Sequence, residues 1–136
     1  MVLIVIYIWD YFWLDLLQQN FKEEIYFNGR KNLIARCINN LIENSLKYAK
    51  KVEIQMEKQK DNLMIMVSDD GPGIPEKEYE NIIKPFYKID KSRSESKSSV
   101  GLGLSIASDI SRSHGGDIKF GKSKFGGLEV SISLPF

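Results

Sequence analysis

Several features that would restrict the function are scarce in this sequence of 136 residues. Its single cysteine excludes an internal disulfide and any paired-thiol metal or redox motif. With 19 basic and 18 acidic residues, the formal net charge is +1, so the overall charge does not favour nucleic acid or an anionic membrane surface. Neither an internal repeat nor a GxxxxGK[ST] phosphate loop occurs. We therefore expect one ordinary globular domain.

Long apolar runs are also missing. The longest, residues 1–9, is too short to span a bilayer, which takes about 20 residues. It lacks the basic start and the small-residue cleavage site of a signal peptide. We expect residues 1–21 to be an edge element of the domain or the remnant of an upstream region, and residues 22–136 to be the domain. A cytoplasmic location is expected.

The apolar periodicity predicts an α+β fold. Helical spacing predicts a helix over residues 32–50, and alternation predicts strands. The other expected elements are strands at 23–27, 52–56 and 63–67 (the last one central), a short helix at 76–83, a glycine-led helix ending at Gly115–Gly116, and a final hairpin from 117–120 and 128–136. Together they predict a two-layer α/β sandwich, in which about three helices cover a mixed, mostly antiparallel sheet of about five strands.

The first long helix carries an unusual polar face. Asn40, Asn44, Lys47 and Tyr48 fall on one side at 100° per residue, beside the apolar stripe. Asparagine is a mediocre helix former, so two of them on one face suggest a bound polar ligand. A solvated face is the alternative interpretation.

The stretch "DDGPGIP" (69–75) forms a turn that begins with two acids. Gly71 and Gly73 would let the backbone approach a flat ligand while the Asp69 carboxylate accepts an N–H, such as the exocyclic amine of adenine. We expect the second acid, Asp70, to face outward or to cap. A simple strand-to-helix turn is the alternative.

Two further features suit a polyanion. In "VGLGLSIA" (100–107), Gly101 and Gly103 open a helix whose N-terminal N–H groups favour phosphate. The preceding residues 84–97 hold five basic and two acidic side chains, as a mobile closing loop would. Tight helix packing and a solvated charged loop are the alternatives.

These motifs, taken in order, resemble a known family. The stretches "NNLIENSLKYA", "SDDGPGIP", "KPFYKID", "VGLGLSIA" and "FGGLEVSISLPF" are similar to the N, G1, F, G2 and G3 boxes of the catalytic ATP-binding domain of two-component sensor histidine kinases. The resemblance covers residues 29–136 and implies the Bergerat nucleotide fold, which gyrase and HSP90 share.

The resemblance implies roles for individual residues. Asn44 would hold Mg²⁺, Lys47 and Arg93 would contact phosphate, and Asp69 would accept the adenine amine. Phe86 would anchor a mobile lid over about residues 84–100. The complete set of ATP contacts that it implies is Asn40, Asn44, Lys47, Tyr48, Asp69, Gly71, Gly73, Ile74, Phe86, Lys88, Arg93, Gly101, Leu102, Gly103 and Leu104, with Asn44, Lys47 and Arg93 as the catalytic residues.

Some positions depart from the family pattern. Ser99 replaces the usual first glycine of the G2 box, and Lys88 stands where arginine is common. Asn40 occupies the position where gyrase and HSP90 relatives carry a general-base glutamate, so ATP hydrolysis is not the expected activity. The single histidine, His114, resembles a structural His-Gly-Gly rather than a phosphoacceptor.

The function that the resemblance implies is transfer of the γ-phosphoryl group of Mg-ATP to a histidine. That histidine would lie on a dimerisation hairpin absent from this chain. The hairpin would therefore act in trans, or this chain would be a fragment of a longer protein. A response regulator would be the indirect partner. An anti-sigma-type Ser/Thr kinase and a non-catalytic nucleotide-binding remnant are the alternatives.

Overall fold

The computed structural model describes residues 2–3, 17–20, 26–27, 29–87 and 102–136. Within these ranges the chain forms seven strands and two α-helices. In chain order they are β1 (Val2–Leu3), β2 (Leu17–Asn20), β3 (Tyr26–Phe27), α1 (Lys31–Tyr48), β4 (Val52–Gln59), β5 (Asn62–Asp69), α2 (Gly103–Ser113), β6 (Asp117–Lys122) and β7 (Leu128–Pro135). In this part of the chain, no helix combines the length and the apolar character needed to cross a bilayer.

Five of the strands form one sheet in the order β2-β4-β5-β7-β6. The edge strand β2 runs parallel to β4, and all other pairs in this sheet are antiparallel. Strands β1 and β3 pair separately as a short antiparallel ribbon. The expected mixed, mostly antiparallel sheet with β5 at its centre is therefore confirmed. Of the predicted strand at 23–27, only Tyr26–Phe27 lies within the described residues.

Helix α1 forms where the apolar period predicted it, one residue earlier at its start and two residues shorter at its end. Its buried stripe runs from Ile34 through Ile38 and Leu41 to Ser45. The helix ends at Tyr48, since Ala49 is extended and turns the chain into β4. Full burial of an isoleucine stabilises a fold by about 1.5–3 kcal/mol, so this stripe fixes α1 on the sheet.

Helix α2 ends at Ser113, and glycine stops it two residues later, as predicted. Gly115 has a φ of +78°, and its N–H donates to the carbonyl of Arg112 at 3.0 Å. The N–H of Gly116 donates to the carbonyl of Ser111 at 2.9 Å. This pair of bonds is the Schellman motif, which requires the left-handed conformation that glycine adopts without strain. It sends the chain directly into β6.

The core lies between the two helices and one face of the sheet. Val52, Val67, Val130 and Ile132 on three neighbouring strands are at most 1% exposed. Helix α2 packs on α1, and both cover the same face, which gives the predicted two-layer α+β architecture.

The helix predicted over residues 76–83 is wrong in type and length. Only Glu76–Glu78 is helical, and it is a 3₁₀-helix. The following N–H groups of Asn81, Lys84 and Tyr87 each bond three residues back, so the segment continues as separate turns. Side-chain bonds stabilise these turns: Tyr87 donates to Glu78, and Lys84 Nζ donates to Asn81 Oδ1 at 2.8 Å. Turns closed by a hydrogen bond between residues three apart do not need the bonds between residues four apart that define an α-helix.

Candidate nucleotide-binding site

Asp69 lies at the end of the central strand and is only 4% exposed. Its Oδ1 accepts two backbone hydrogen bonds, from Gly71 N at 2.9 Å and from Leu128 N at 3.0 Å. Both side-chain hydrogen bonds found for Asp69 in the described residues are on this oxygen. The second oxygen, Oδ2, is therefore the acceptor that remains for a ligand N–H. A buried carboxylate requires such partners, because burial of an unpaired charge is costly.

Glycines make room for this carboxylate. A Cβ on Gly127 would lie 2.2 Å from Asp69 Oδ1 and 2.6 Å from Gly71 N, so no side chain fits there. A Cβ on Gly71 would lie 3.1 Å from both Asp69 Oδ1 and the Tyr48 carbonyl oxygen. Gly73 has a φ of +71°, which favours glycine. Gly71 of the predicted motif thus lies against the carboxylate and the end of α1, whereas Gly73 lies against the carbonyl groups of Gly126 and Gly127.

Asp70 has a separate structural role. It is exposed, and its Oδ1 accepts the backbone N–H groups of Lys50 and Lys51, both at 2.9 Å. These bonds, above all the one from Lys51, hold the pKa of the Asp70 carboxyl below its usual value. Asp70 therefore faces outward, as expected, and fastens the turn after α1 to the end of β5.

The polar face of α1 borders the same end of the sheet. Asn40, Asn44 and Lys47 are partly buried, while Tyr48 is 47% exposed. Within the described residues, the Nδ2 atom of Asn40 is buried without a hydrogen-bond partner. An unsatisfied buried amide costs about 1–3 kcal/mol, so its retention suggests a partner that a bound ligand supplies.

Helix α1 connects the two candidate binding regions. The position of a Cβ on Gly103, the first residue of α2, lies 3.9 Å from the Asn40 carbonyl oxygen. At the other end, the Tyr48 carbonyl oxygen abuts Gly71. Asn40 and Tyr48 are eight positions apart in the helix, so the start of α2 and the buried carboxylate of Asp69 lie about 12 Å apart along α1, at 1.5 Å per residue. An extended polar ligand can bridge them.

The remaining predicted contacts are distributed as follows. Ile74 is partly buried against the core, Leu102 is the N-cap of α2, and Leu104 is buried. Phe86 has a φ of +63° and is 69% exposed. Lys88, Arg93, Gly101 and the departure at Ser99 lie outside the described residues, as does most of the predicted lid. The roles of these residues remain predictions.

Tyr87 fixes the described start of the predicted lid. Its hydroxyl donates to Glu78 Oε2, and Asn81 Nδ2 lies 3.4 Å from the same oxygen. The hydrogen bond from Tyr87 lowers the pKa of Glu78, and the same bond raises the pKa of Tyr87. The residue directly after Phe86 is thereby tied to the 3₁₀-helix.

His114 is held by bonds that suit a structural role. Its Nδ1 lies 2.8 Å from the Ile110 carbonyl oxygen, and its Nε2 accepts the Arg30 backbone N–H at 3.2 Å. Arg30 is the N-cap of α1, and its Nη2 also donates to Ser113 Oγ at 3.0 Å. The imidazole therefore joins the end of α2 to the start of α1, with both ring nitrogens engaged. This agrees with the expectation that His114 is not the phosphoacceptor.

Two contacts were missed by the sequence interpretation. The backbone N–H of Leu128 and the absent side chain of Gly127 complete the Asp69 pocket. The sequence signal was the Gly126–Gly127 pair directly before the last strand. Within the described ranges, no group of three or more His, Cys, Asp or Glu side chains is placed to hold a metal ion.

Comparison with known proteins agrees with this geometry. Residues 29–136 match the family described as "Histidine kinase-, DNA gyrase B-, and HSP90-like ATPase". The sensor histidine kinase GtrS of Pseudomonas aeruginosa is 34% identical over 136 residues, covering 90% of this chain and 28% of that protein. The sensor histidine kinase CpxA of Escherichia coli is 36% identical over 108 residues, 79% of this chain and 24% of that protein. This chain thus spans about a quarter of the length of these relatives.

Solved structures show the same fold. The catalytic domain of the histidine kinase ThkA has a TM-score of 0.72 at 26% identity, covering 88% of this chain and 77% of that one. The ATP-binding domain of PrrB from Mycobacterium tuberculosis has a TM-score of 0.72 at 21% identity, covering 88% and 78%. The chain belongs to the histidine kinase-, DNA gyrase B- and HSP90-like ATPases, and within them to the ATP-binding domains of sensor histidine kinases.

Proposed function

We propose that this chain binds Mg-ATP along α1 and donates its γ-phosphoryl group to a histidine on a dimerisation hairpin. The observation that carries the proposal is Asp69: a carboxylate 4% exposed, with Oδ1 occupied by two backbone N–H groups and Oδ2 left to accept a base amine. The Nδ2 atom of Asn40, which is buried and has no partner among the residues that the structure describes, and the start of α2 support a polyphosphate at the other end.

The residues divide into two sets of roles. Asp69, Gly71, Gly73, Ile74 and Tyr48 are proposed to hold the base. At the phosphate end, Asn44 is proposed to offer its amide oxygen to Mg²⁺, a hard cation that takes oxygen ligands. Asn40, Lys47 and the N–H groups of Gly103 and Leu104 are proposed to bind phosphate oxygens, as the start of a helix can.

Catalysis in this proposal comes from positioning and charge neutralisation. An acceptor imidazole nitrogen attacks the γ-phosphorus, the bond to the β–γ bridging oxygen breaks, ADP leaves with that electron pair, and the second imidazole nitrogen releases its proton. The chain's own part is to hold the nucleotide in line with the incoming imidazole. Its only histidine, His114, is engaged at both ring nitrogens, which supports an acceptor outside this chain.

Incubation of the purified chain with ATP labelled at the γ-phosphate and an isolated acceptor hairpin tests the reaction. Acid-labile label on the hairpin histidine supports the proposal. Acid-stable label on a serine would instead indicate an anti-sigma-type kinase, and ATP binding without transfer would indicate a non-catalytic module.

A substitution of Asn44 tests its proposed role as a ligand of Mg²⁺. Asn44→Ala should abolish the magnesium-dependent part of ATP affinity in calorimetry, because the amide oxygen is removed. Asn39→Ala is the matched control, since Asn39 lies on another side of the same helix. Equal magnesium dependence in both variants would contradict a metal role for Asn44.

A further inference from the structure

Two carboxylates are buried in the described part of the chain, Glu53 and Asp69, and each is 4% exposed. They lie at the same end of the sheet, because Val52 pairs with Asp69 across strands β4 and β5. Successive side chains of a strand point to opposite faces. Glu53 therefore lies on the face away from the helices, behind the strand end that carries Asp69.

The turn between β6 and β7, together with Leu128, the first residue of β7, contacts both carboxylates. On one side, Lys124 Nζ lies 2.5 Å from Glu53 Oε1. On the other, Gly127 N donates to the Asp69 carbonyl oxygen at 3.2 Å, and Leu128 N donates to Asp69 Oδ1 at 3.0 Å. A single turn thus links the ion pair at the back of the sheet to the carboxylate of the candidate base site.

Hydrogen bonds within the turn between β6 and β7 hold its shape, so a displacement of one side of the turn can reach the other side. Ser123 is buried, its N–H donates to the Gly127 carbonyl at 2.9 Å, and its Oγ accepts the Phe125 N–H at 3.0 Å. Lys51 Nζ lies 4.2 Å from the centre of the Phe125 ring, in cation–π geometry. Lys51, which directly precedes β4, therefore holds the turn from outside, while the bonds of Ser123 hold it from within.

Lys124 is the ion-pair partner found for Glu53 within the described residues. Removal of its charge would leave Glu53 desolvated and uncompensated, which is a larger penalty than loss of an exposed pair. A movement of the turn that admits water to Glu53 would reduce this penalty. Because Leu128 directly follows the turn, the same movement would lengthen the bond from the Leu128 N–H to Asp69 Oδ1.

We propose that Lys124 is a positioning residue for base selectivity. Through Glu53 it holds the β6–β7 turn where the Leu128 N–H fixes one oxygen of Asp69, so that the other oxygen faces the exocyclic amine of adenine. This inference rests on the proposed function. It gives Lys124, an exposed lysine that pairs with Glu53 on the opposite face of the sheet, control over recognition of the base.

The test compares two nucleotides on variants of the chain. Calorimetry measures the dissociation constants of ATP and of purine riboside triphosphate, which is ATP without its 6-amino group. Lys124→Met should weaken ATP about tenfold, the expected effect of losing one hydrogen bond to a charged group, and leave the analogue unchanged. Lys124→Arg, which keeps the cation, should restore ATP affinity. The matched control is Lys119→Met, an exposed lysine on β6.

Unchanged ATP affinity in Lys124→Met would overturn the inference. Equal weakening of both nucleotides would overturn it as well, because it would indicate a general loss of structure. If the wild-type chain binds neither nucleotide, the proposed function fails. The inference is then decided by amide hydrogen exchange, in which the Leu128 N–H must exchange faster in Lys124→Met than in Lys119→Met.

Discussion

Gly127→Ala tests the closest packing in the Asp69 pocket. The added Cβ would lie 2.2 Å from Asp69 Oδ1 and 2.5 Å from the Asp69 carbonyl oxygen, whereas real Cβ contacts stay above 3.0 Å. The carboxylate and the turn must therefore separate by at least 3.0 − 2.2 = 0.8 Å. The Leu128 N–H bond, now 3.0 Å, would then exceed the usual hydrogen-bond range.

The magnitude follows from the bond that is lost. A hydrogen bond to a charged acceptor contributes about 1.5–3 kcal/mol, which corresponds to about 10- to 100-fold in the dissociation constant for ATP. Overpacking should also lower the free energy of unfolding by about 1–3 kcal/mol. Calorimetry with Mg-ATP and urea unfolding measure the two effects.

Gly121→Ala is the control for this prediction, because Gly121 lies on the same hairpin and no atom of the described residues lies within 4 Å of the added Cβ. Gly127→Ala should differ from it in both assays. If the two variants bind ATP equally and unfold at the same urea concentration, the pocket around Asp69 is not as tightly packed as the structure indicates. That result would refute the role of Gly127 in placing Asp69.

Three further predictions address single groups. Asp69→Asn should weaken ATP far more than pyrophosphate, because an N–H replaces the oxygen that accepts the amine; equal losses would contradict base recognition. Ser108→Ala should raise the free energy of unfolding by about 1 kcal/mol, since its buried hydroxyl has no partner in the described residues, whereas Ser111→Ala, which loses a 2.8 Å bond to the Ala107 carbonyl, should not. Burial raises the pKa of Cys37 from 9.0 to about 11, so the unfolded chain loses this proton first as the pH rises. The stability advantage of wild type over Cys37→Ala, measured by urea unfolding, should therefore be constant below pH 9 and shrink from pH 9 to about 11; a constant difference would contradict it.

The sequence predicted those features that depend on neighbouring residues. The 3.6-residue period gave the stripe of Ile34, Ile38 and Leu41, and the Gly115–Gly116 pair gave the end of α2. The order of five short motifs identified the family and the fold. These signals are local, so no knowledge of the folded chain was needed.

Other features depended on contacts between distant segments. Even within one segment, the bond from Tyr87 to Glu78 crosses nine residues and helps to hold the turns at 76–83, which apolar periodicity does not indicate. The burial of Glu53 was not predicted, because its partner Lys124 is 71 residues away. Likewise, only the fold brings Leu128 to Asp69, across 59 residues.

The sequence by itself determined which groups make up the candidate nucleotide site: the amides of α1, the acid before the glycines, and the glycines before and at the start of α2. The tertiary structure decided how these groups are arranged. It placed Asp69 under the β6–β7 turn, with one oxygen bonded to backbone N–H groups and the other without a bond among the described residues, and it assigned Asp70 to the turn after α1. Strand register determines these pairings, and register is a property of the assembled sheet rather than of any one segment.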